Sequence, residues 1–239
     1  MIEAAHITKK FGAFQVLSDI SLTVKKGQIY GLIGYNGVGK TTLLKILSGI
    51  YRPDSGSARV GGTPVYENPQ IKQKCFFMTE EAPFFQQSSL HEMRKFYAGY
   101  YPAWNDDTFE ALLKWFGVDP DMKISRFSKG MQRQASLILA FSTRPEYLFL
   151  DEAFDGLDYY MRKQVCEMFR FYVKERNAAI LVTSHNLKEL EDLAARIGML
   201  DNGTLTFDSE ETAMGSIPLE EYFLNEKKER DVDWEEVFK

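Results

Sequence analysis

The spacing of hydrophobic and polar positions changes character four times along the chain. Leu22 and Val24 alternate with Ser21, Thr23 and Lys25, the period-2 pattern of a half-buried strand. Lys26-Gly27 signals a turn, and Gln28–Gly34 (QIYGLIG) then predicts a short apolar strand running into a glycine-rich loop. After Lys40 the spacing of Leu43, Leu44, Ile46 and Leu47 is helical. Pro53, Gly56, Gly61, Gly62 and Pro64 cut the next stretch into short strands and turns. From about Ser88 to Arg144 the strand signal gives way to helices. Ser88 or Ser89 opens one that runs through Gly99, with Glu92 completing a capping box on Ser89. Asp106 or Asp107 opens a second, ended by Gly117, and a third spans about Lys129–Phe141. The remainder alternates: strand Tyr147–Leu150, helix about Tyr159–Lys174, strand Ala179–Thr183, helix about Leu187–Asp192, strand Ile197–Leu200. That order predicts an α/β protein with a mostly parallel sheet covered on both faces, and the block at about 88–144 as a helical insert.

Composition narrows the class. The 239 residues are 44% hydrophobic, enough for a sizeable core. The net charge of −5 argues against a chain that grips nucleic acid by neutralising phosphates, so no nucleic-acid partner is expected. Two cysteines, Cys75 and Cys166, are too few for a disulfide framework and fit a reducing compartment. The start, MIEAAHITKKFG, has no signal-peptide pattern, and no run nears the ~20 apolar residues that span a bilayer. A soluble intracellular protein is the expectation. From Asp208 to Lys239 there are eleven Asp/Glu against four Lys/Arg, read as a solvated acidic tail over 208–239.

The chemistry begins at Gly34-Tyr-Asn-Gly-Val-Gly-Lys40-Thr41, followed by Thr42, which matches the P-loop pattern between a strand and a helix. Gly34, Gly37 and Gly39 let the backbone N–H groups, Asn36 among them, bend around phosphates at a helix N-terminus. Lys40 supplies charge to the β- and γ-phosphates, and the Thr41 hydroxyl is a ligand for Mg²⁺. The pattern predicts a nucleoside triphosphate site. A P-loop needs a carboxylate at the end of a buried strand to hold the metal. Tyr147-Leu-Phe-Leu150-Asp151-Glu152 provides Asp151 for that role, and Glu152, one residue further out, to polarise an attacking water.

With these residues in view, the chain resembles the nucleotide-binding subunits of ATP-binding cassette (ABC) transporters over about Ile2–Phe207. Phe127-Ser128-Lys129-Gly130-Met131-Gln132, with Ser128 standing 23 residues before Asp151, occupies the place of that family's Leu-Ser-Gly-Gly-Gln signature. The resemblance implies a P-loop NTPase core with an antiparallel N-terminal β subdomain and an inserted helical subdomain. It implies two subunits sandwiching ATP and Mg²⁺ head to tail, with Ser128 and Gly130 reaching the γ-phosphate held by the second ABC ATPase subunit, whether a copy or a paralogue. Gly156-Leu157-Asp158 is similar to the D-loop, His185 to the switch histidine that supports the attacking water, and Phe11 to the aromatic that stacks on adenine. His6 and His91 match nothing and are read as structural.

The chain also departs from the family pattern. At Met78-Thr79-Glu80-Glu81 an acid, assigned to Glu80, replaces the Q-loop glutamine that joins the metal site to the membrane partner. Lys129 and Met131 replace a signature glycine and glutamine, variants similar to those of bacterial exporter-type and GntR-operon-linked cassettes. The function implied is an ATP-hydrolysing subunit, peripheral on the inner face of the cell membrane, that powers separate transmembrane permease subunits. The alternative is a soluble ABC ATPase of translation, repair or cofactor assembly. A single cassette, an acidic tail and no sustained heptads weigh against it. Finally, Phe84, Phe85 and the cluster Phe96, Tyr97, Tyr100, Tyr101 and Trp104 border the Q-loop segment. Phe96 and Tyr100 are expected in the core of the insert. Phe84 or Phe85, with one or two of Tyr97, Tyr101 and Trp104, is expected to be partly exposed to a helix of the partner.

Overall fold

A computed structural model of the chain describes residues 1–79, 84–85 and 87–210; Glu80 and residues 211–239 lie outside the described residues. The chain starts with an antiparallel hairpin, β1 (Ile2–Phe11) and β2 (Phe14–Val24). β3 (Gln28–Ile33) leads through the glycine-rich loop into α1 (Lys40–Leu47). β4 (Ser55–Val60) and β5 (Thr63–Pro64) return to β1 and complete a four-stranded antiparallel sheet, β2-β1-β4-β5. A short helix α2 (Pro69–Lys72) precedes β6 (Cys75–Met78). The insert carries α3 (Leu90–Tyr100), α4 (Asp106–Phe116) and α5 (Lys129–Ser142). Then follow β7 (Tyr147–Leu150), α6 (Tyr159–Arg176), β8 (Ala179–Ser184), α7 (Leu187–Glu191), β9 (Arg196–Asp201) and β10 (Thr204–Glu210). The second sheet has the order β10-β9-β3-β8-β7-β6, parallel throughout except for β10 on β9.

The parallel strands are buried on both faces, and their period of two divides their side chains between two cores. Ile29, Ile33, Leu148, Leu150, Ile180 and Val182 face the core shared with the insert and α6. Tyr30, Leu32, Tyr147, Phe149, Ala179 and Leu181 face α1 and the antiparallel sheet. The insert has no core of its own: Leu90, Met93, Phe109 and Phe116 pack into the same cluster as Phe76 and Leu148.

The helix starts follow from local chemistry. Ser89 and Glu92 form the capping box at α3, each side chain accepting the other's backbone N–H. At α4 the cap is Asn105 rather than either aspartate. Its carbonyl oxygen accepts from Thr108 N at 2.8 Å, which leaves Asp106 and Asp107 in the first turn against the helix dipole.

The aromatics of α3 correct one expectation. Phe96 and Tyr100 are exposed, 42% and 62%, whereas Tyr97 and Tyr101 lean on Phe76 with ring centroids 5.9 and 6.0 Å away. The buried stripe of α3 runs Leu90, Met93, Tyr97, and the helical period then turns Phe96 and Tyr100 outward. Of the residues expected to be partly exposed, Phe85 is exposed and Phe84, Tyr97, Tyr101 and Trp104 pack half-buried against the core. β10 continues across the boundary expected at Phe207. Asp208 accepts from both Nε and Nη2 of Arg196 at 2.6 Å and from the Tyr30 hydroxyl at 3.0 Å. Burial, and the Asp208 carboxylate beside it, push the Tyr30 phenol well above its ordinary pKa.

Candidate active site

Three parallel strands end side by side. β8 lies between β3 and β7, with Ile33 opposite Ser184 and Leu150 opposite Val182, so the residues that follow each strand meet at one edge of the sheet. The loop after β3 needs left-handed backbone at Gly37 (φ +82°) and Gly39 (φ +114°), conformations a side chain would strain. Gly39 precedes the first turn of α1, so that helix's unpaired N–H groups face the loop. The Lys40 ammonium is buried; it donates to the carbonyls of Gly34 at 2.7 Å and Tyr35 at 3.3 Å and lies 3.2 Å from Glu152 Oε1.

Asp151 and Glu152 follow β7 and take different partners. Asp151 is buried behind Thr41, whose hydroxyl donates to Oδ2 at 2.6 Å, while Oδ1 accepts from the Thr183 hydroxyl at 2.8 Å. Glu152 takes φ +47°, and its N–H donates to Thr183 Oγ1 at 2.9 Å. Its Oε2 accepts from the His185 backbone N–H at 3.2 Å and lies 3.0 Å from His185 Nδ1. Oε1 makes no hydrogen bond among the described residues, so the Lys40 ammonium is its compensating charge.

A cleft of about 470 Å³ opens above this arrangement. Asn36, Gly37, Gly39, Lys40, Thr41 and Thr42 line one side, with Glu152 and His185 on the other and Phe11 at the mouth. Phe11 is 48% exposed, and the edge-on ring of Tyr51 stands 5.7 Å from it. The fold thus gathers the P-loop residues, Phe11, Glu152 and His185, with Asp151 directly beneath and Gly34 at the exit of β3. Ser128, Gly130 and Asp158 do not line this cleft. Ser128 caps α5 by accepting from Met131 N at 3.2 Å, and Asp158 caps α6 by accepting from Met161 N at 2.8 Å. Thr41 Oγ1 and Asp151 Oδ2 converge as two oxygen donors beside the loop, a set that fits Mg²⁺, which binds through few protein oxygens and the substrate's phosphates.

Three residues of this region escape the sequence patterns. Asp155 lines the cleft, with a ligand-type atom within 4.8 Å of those of Glu152 and His185. Thr183 ties Asp151 to Glu152; its only sequence signal is a hydroxyl closing an apolar strand. Arg133 is buried, and its Nη1 donates to the Thr79 carbonyl at 3.1 Å. It is the last charge before an uncharged stretch through Thr143.

A glycine-rich loop cupped on a helix N-terminus, with carboxylates from the end of a buried strand, defines a P-loop nucleoside triphosphatase. Residues 17–155 match the ABC transporter family. The chain is 35% identical over 206 residues to the ABC transporter ATP-binding protein YtrB of Bacillus subtilis, covering 86% of this chain and 70% of that protein. It is 31% identical over 211 residues to the linearmycin resistance ATP-binding protein LnrL of Bacillus subtilis, covering 86% and 68%. A solved ATP-binding subunit of an ABC transporter superposes with a TM-score of 0.86 over 95% of this chain and all of the other, at 24% identity, and so shares the fold. The chain belongs to the ABC transporter family. Within it, this is an ATP-hydrolysing, transport-powering ATP-binding subunit.

Proposed function

We propose that the subunit hydrolyses ATP in a head-to-tail dimer and passes the resulting movement to separate transmembrane permease chains. The observation that carries this is the Glu152 carboxylate, fixed between the Lys40 ammonium at 3.2 Å and His185 at 3.0 Å on one wall of the cleft. Triphosphate entering the cleft takes the Lys40 ammonium and the N–H groups of the loop as its counter-charges, which releases Glu152 toward a water. Glu152 accepts a proton from that water as its oxygen bonds to the γ-phosphorus and the bond to the β-phosphate bridging oxygen breaks. His185 holds the Glu152 carboxylate and faces the γ-phosphate. Thr41 and Asp151 would hold Mg²⁺, which when bound neutralises charge on the β- and γ-phosphates. Phe11 stacks on the adenine.

Ser128 and Gly130 stand at the start of α5 and outside the cleft of their own chain. That supports their serving the γ-phosphate of a second subunit, with Asp158 beside it. The cassette spans 1–210, since β10 runs to Glu210, with the helical insert at about 88–144 and the rest of the acidic stretch after it. No helix among the described residues is long and apolar enough to cross a membrane. A peripheral place on the inner face of the cell membrane belongs to the same proposal, because the permease chains it serves would hold it there. Phe85, Phe96 and Tyr100 form an exposed aromatic group, with centroids 5.1 Å apart for the first pair and 4.8 Å for the second. We assign it to permease docking, since aromatic anchors dominate such contacts.

The test is Glu152→Gln, which keeps the shape and removes the proton acceptor. Turnover should fall by roughly 10²-fold or more with ATP binding intact. On sizing chromatography the variant should shift from monomer to dimer when ATP and Mg²⁺ are added. Turnover within about a factor of two of wild type sinks the assignment of Glu152. A monomer under both conditions, well above micromolar protein, sinks the dimer.

A further inference from the structure

Helix α5 touches the segment that carries Glu152 at two points, one on either side of it. Before it, the buried Arg133 reaches with Nη1 to the carbonyl of Asp151 at 3.5 Å while donating to that of Thr79 at 3.1 Å. After it, Gly130 meets Gly156: a β-carbon on Gly130 would stand 2.6 Å from the Gly156 carbonyl oxygen. Backbone lies against backbone there, and no side chain fits between. Gly130 and Arg133 are three residues apart and so share one face of the helix. Glu152 lies between these contacts in left-handed backbone, φ +47°, and such a conformation lasts only where its surroundings hold it. Thr183 holds its N–H from the sheet, while α5 touches the residues on either side of it in the chain, Asp151 and Gly156. Arg133 does not line the cleft.

We infer that Arg133 is a positioning residue for Glu152. Working through the Thr79 and Asp151 carbonyls, with the Gly130–Gly156 contact as the second clamp, it sets the angle at which the Glu152 carboxylate meets the water. The orientation of α5 is thereby felt at the hydrolytic carboxylate of the same chain. This rests on the reading of Glu152 as the proton acceptor.

The experiment compares wild type, Arg133→Lys, Arg133→Gln, Glu152→Gln and the two Arg133 variants in the Glu152→Gln background, by single-turnover hydrolysis, KM for ATP and thermal melts. Arg133→Gln should lower kcat about tenfold or more while KM stays within about twofold. Arg133→Lys keeps the charge but not the planar fork, and should lose about threefold, an intermediate rescue. In the Glu152→Gln background either change should alter the residual rate by less than about twofold, because the group it positions is already gone. Losses that multiply in the double variants overturn the inference, as does a wild-type kcat in Arg133→Lys and Arg133→Gln. If Arg133→Gln does not fold, Arg133→Lys supplies the same comparison with the smaller loss. A Glu152→Gln single variant that keeps its turnover overturns the reading of Glu152 and this inference together. Multiplying losses beside an inactive Glu152→Gln overturn the inference alone.

Discussion

Replacing Thr183 with valine keeps the volume of the side chain and deletes one oxygen. That oxygen accepts from the Glu152 N–H at 2.9 Å and donates to Asp151 Oδ1 at 2.8 Å, and Thr183 is fully buried. Thr183→Val therefore orphans a donor and an acceptor at the same moment. Each unpaired buried group costs about 1–3 kcal/mol. Asp151 keeps its second oxygen on Thr41, so the lower half of the combined range applies, about 3 kcal/mol. For a chain of this size each kcal/mol lowers Tm by about 2–4 °C, which gives a drop of about 6–12 °C. Catalysis should suffer separately, because Glu152 loses the hydrogen bond that fixes its left-handed backbone; a misorientation worth about 1.4 kcal/mol in the transition state is a tenfold loss of kcat. The assay pairs a thermal melt with phosphate-release kinetics, and Thr183→Ser, which retains the hydroxyl, is the control. If Thr183→Val melts and turns over like Thr183→Ser, the hydroxyl bridges nothing of consequence and the account of how Asp151 and Glu152 are held is wrong.

Two further outcomes are expected. Phe85→Ala combined with Tyr100→Ala should leave the ATPase rate of the free subunit within about twofold, since neither residue is in the cleft, and abolish co-purification with the membrane chain; undiminished co-purification moves the docking site elsewhere. Burial pushes the Cys75 thiol up to about 12 and the Cys166 thiol to about 11, so at pH 8 neither forms the reactive thiolate. Both should resist Ellman's reagent in the folded protein and react on denaturation, and rapid labelling of the native chain at pH 8 contradicts their burial.

Much of the site was legible because its parts are written as short local patterns. The glycines, Lys40 and Thr41 must be neighbours in the chain to wrap a phosphate, so the P-loop is visible as a string. Asp151 and Glu152 are marked by the apolar strand before them, and Ser89 with Glu92 by the three-residue spacing of a capping box. The alternation of β7, α6, β8, α7 and β9 is likewise a matter of local period, and it fixes a parallel sheet covered on both faces.

Other features depended on contacts between residues far apart in the chain. Periodicity marks α3 as amphipathic, yet which aromatics face inward was settled by Phe76 offering Tyr97 and Tyr101 a flat surface, leaving Phe96 and Tyr100 outside. β10 runs past the point where acidic residues begin to dominate because Asp208 finds Arg196 on the next strand and Tyr30 beneath it. Thr183 acquires its task only because the sheet order sets β8 between the P-loop strand and the acid strand. Gly130 meets Gly156, and Arg133 reaches Asp151, once the insert has folded back over the main core. The chain thus announces by itself the chemistry that needs adjacent residues. The rotation of helices and the order of strands are decided by which distant surfaces can be buried together, and that is a property of the packed whole.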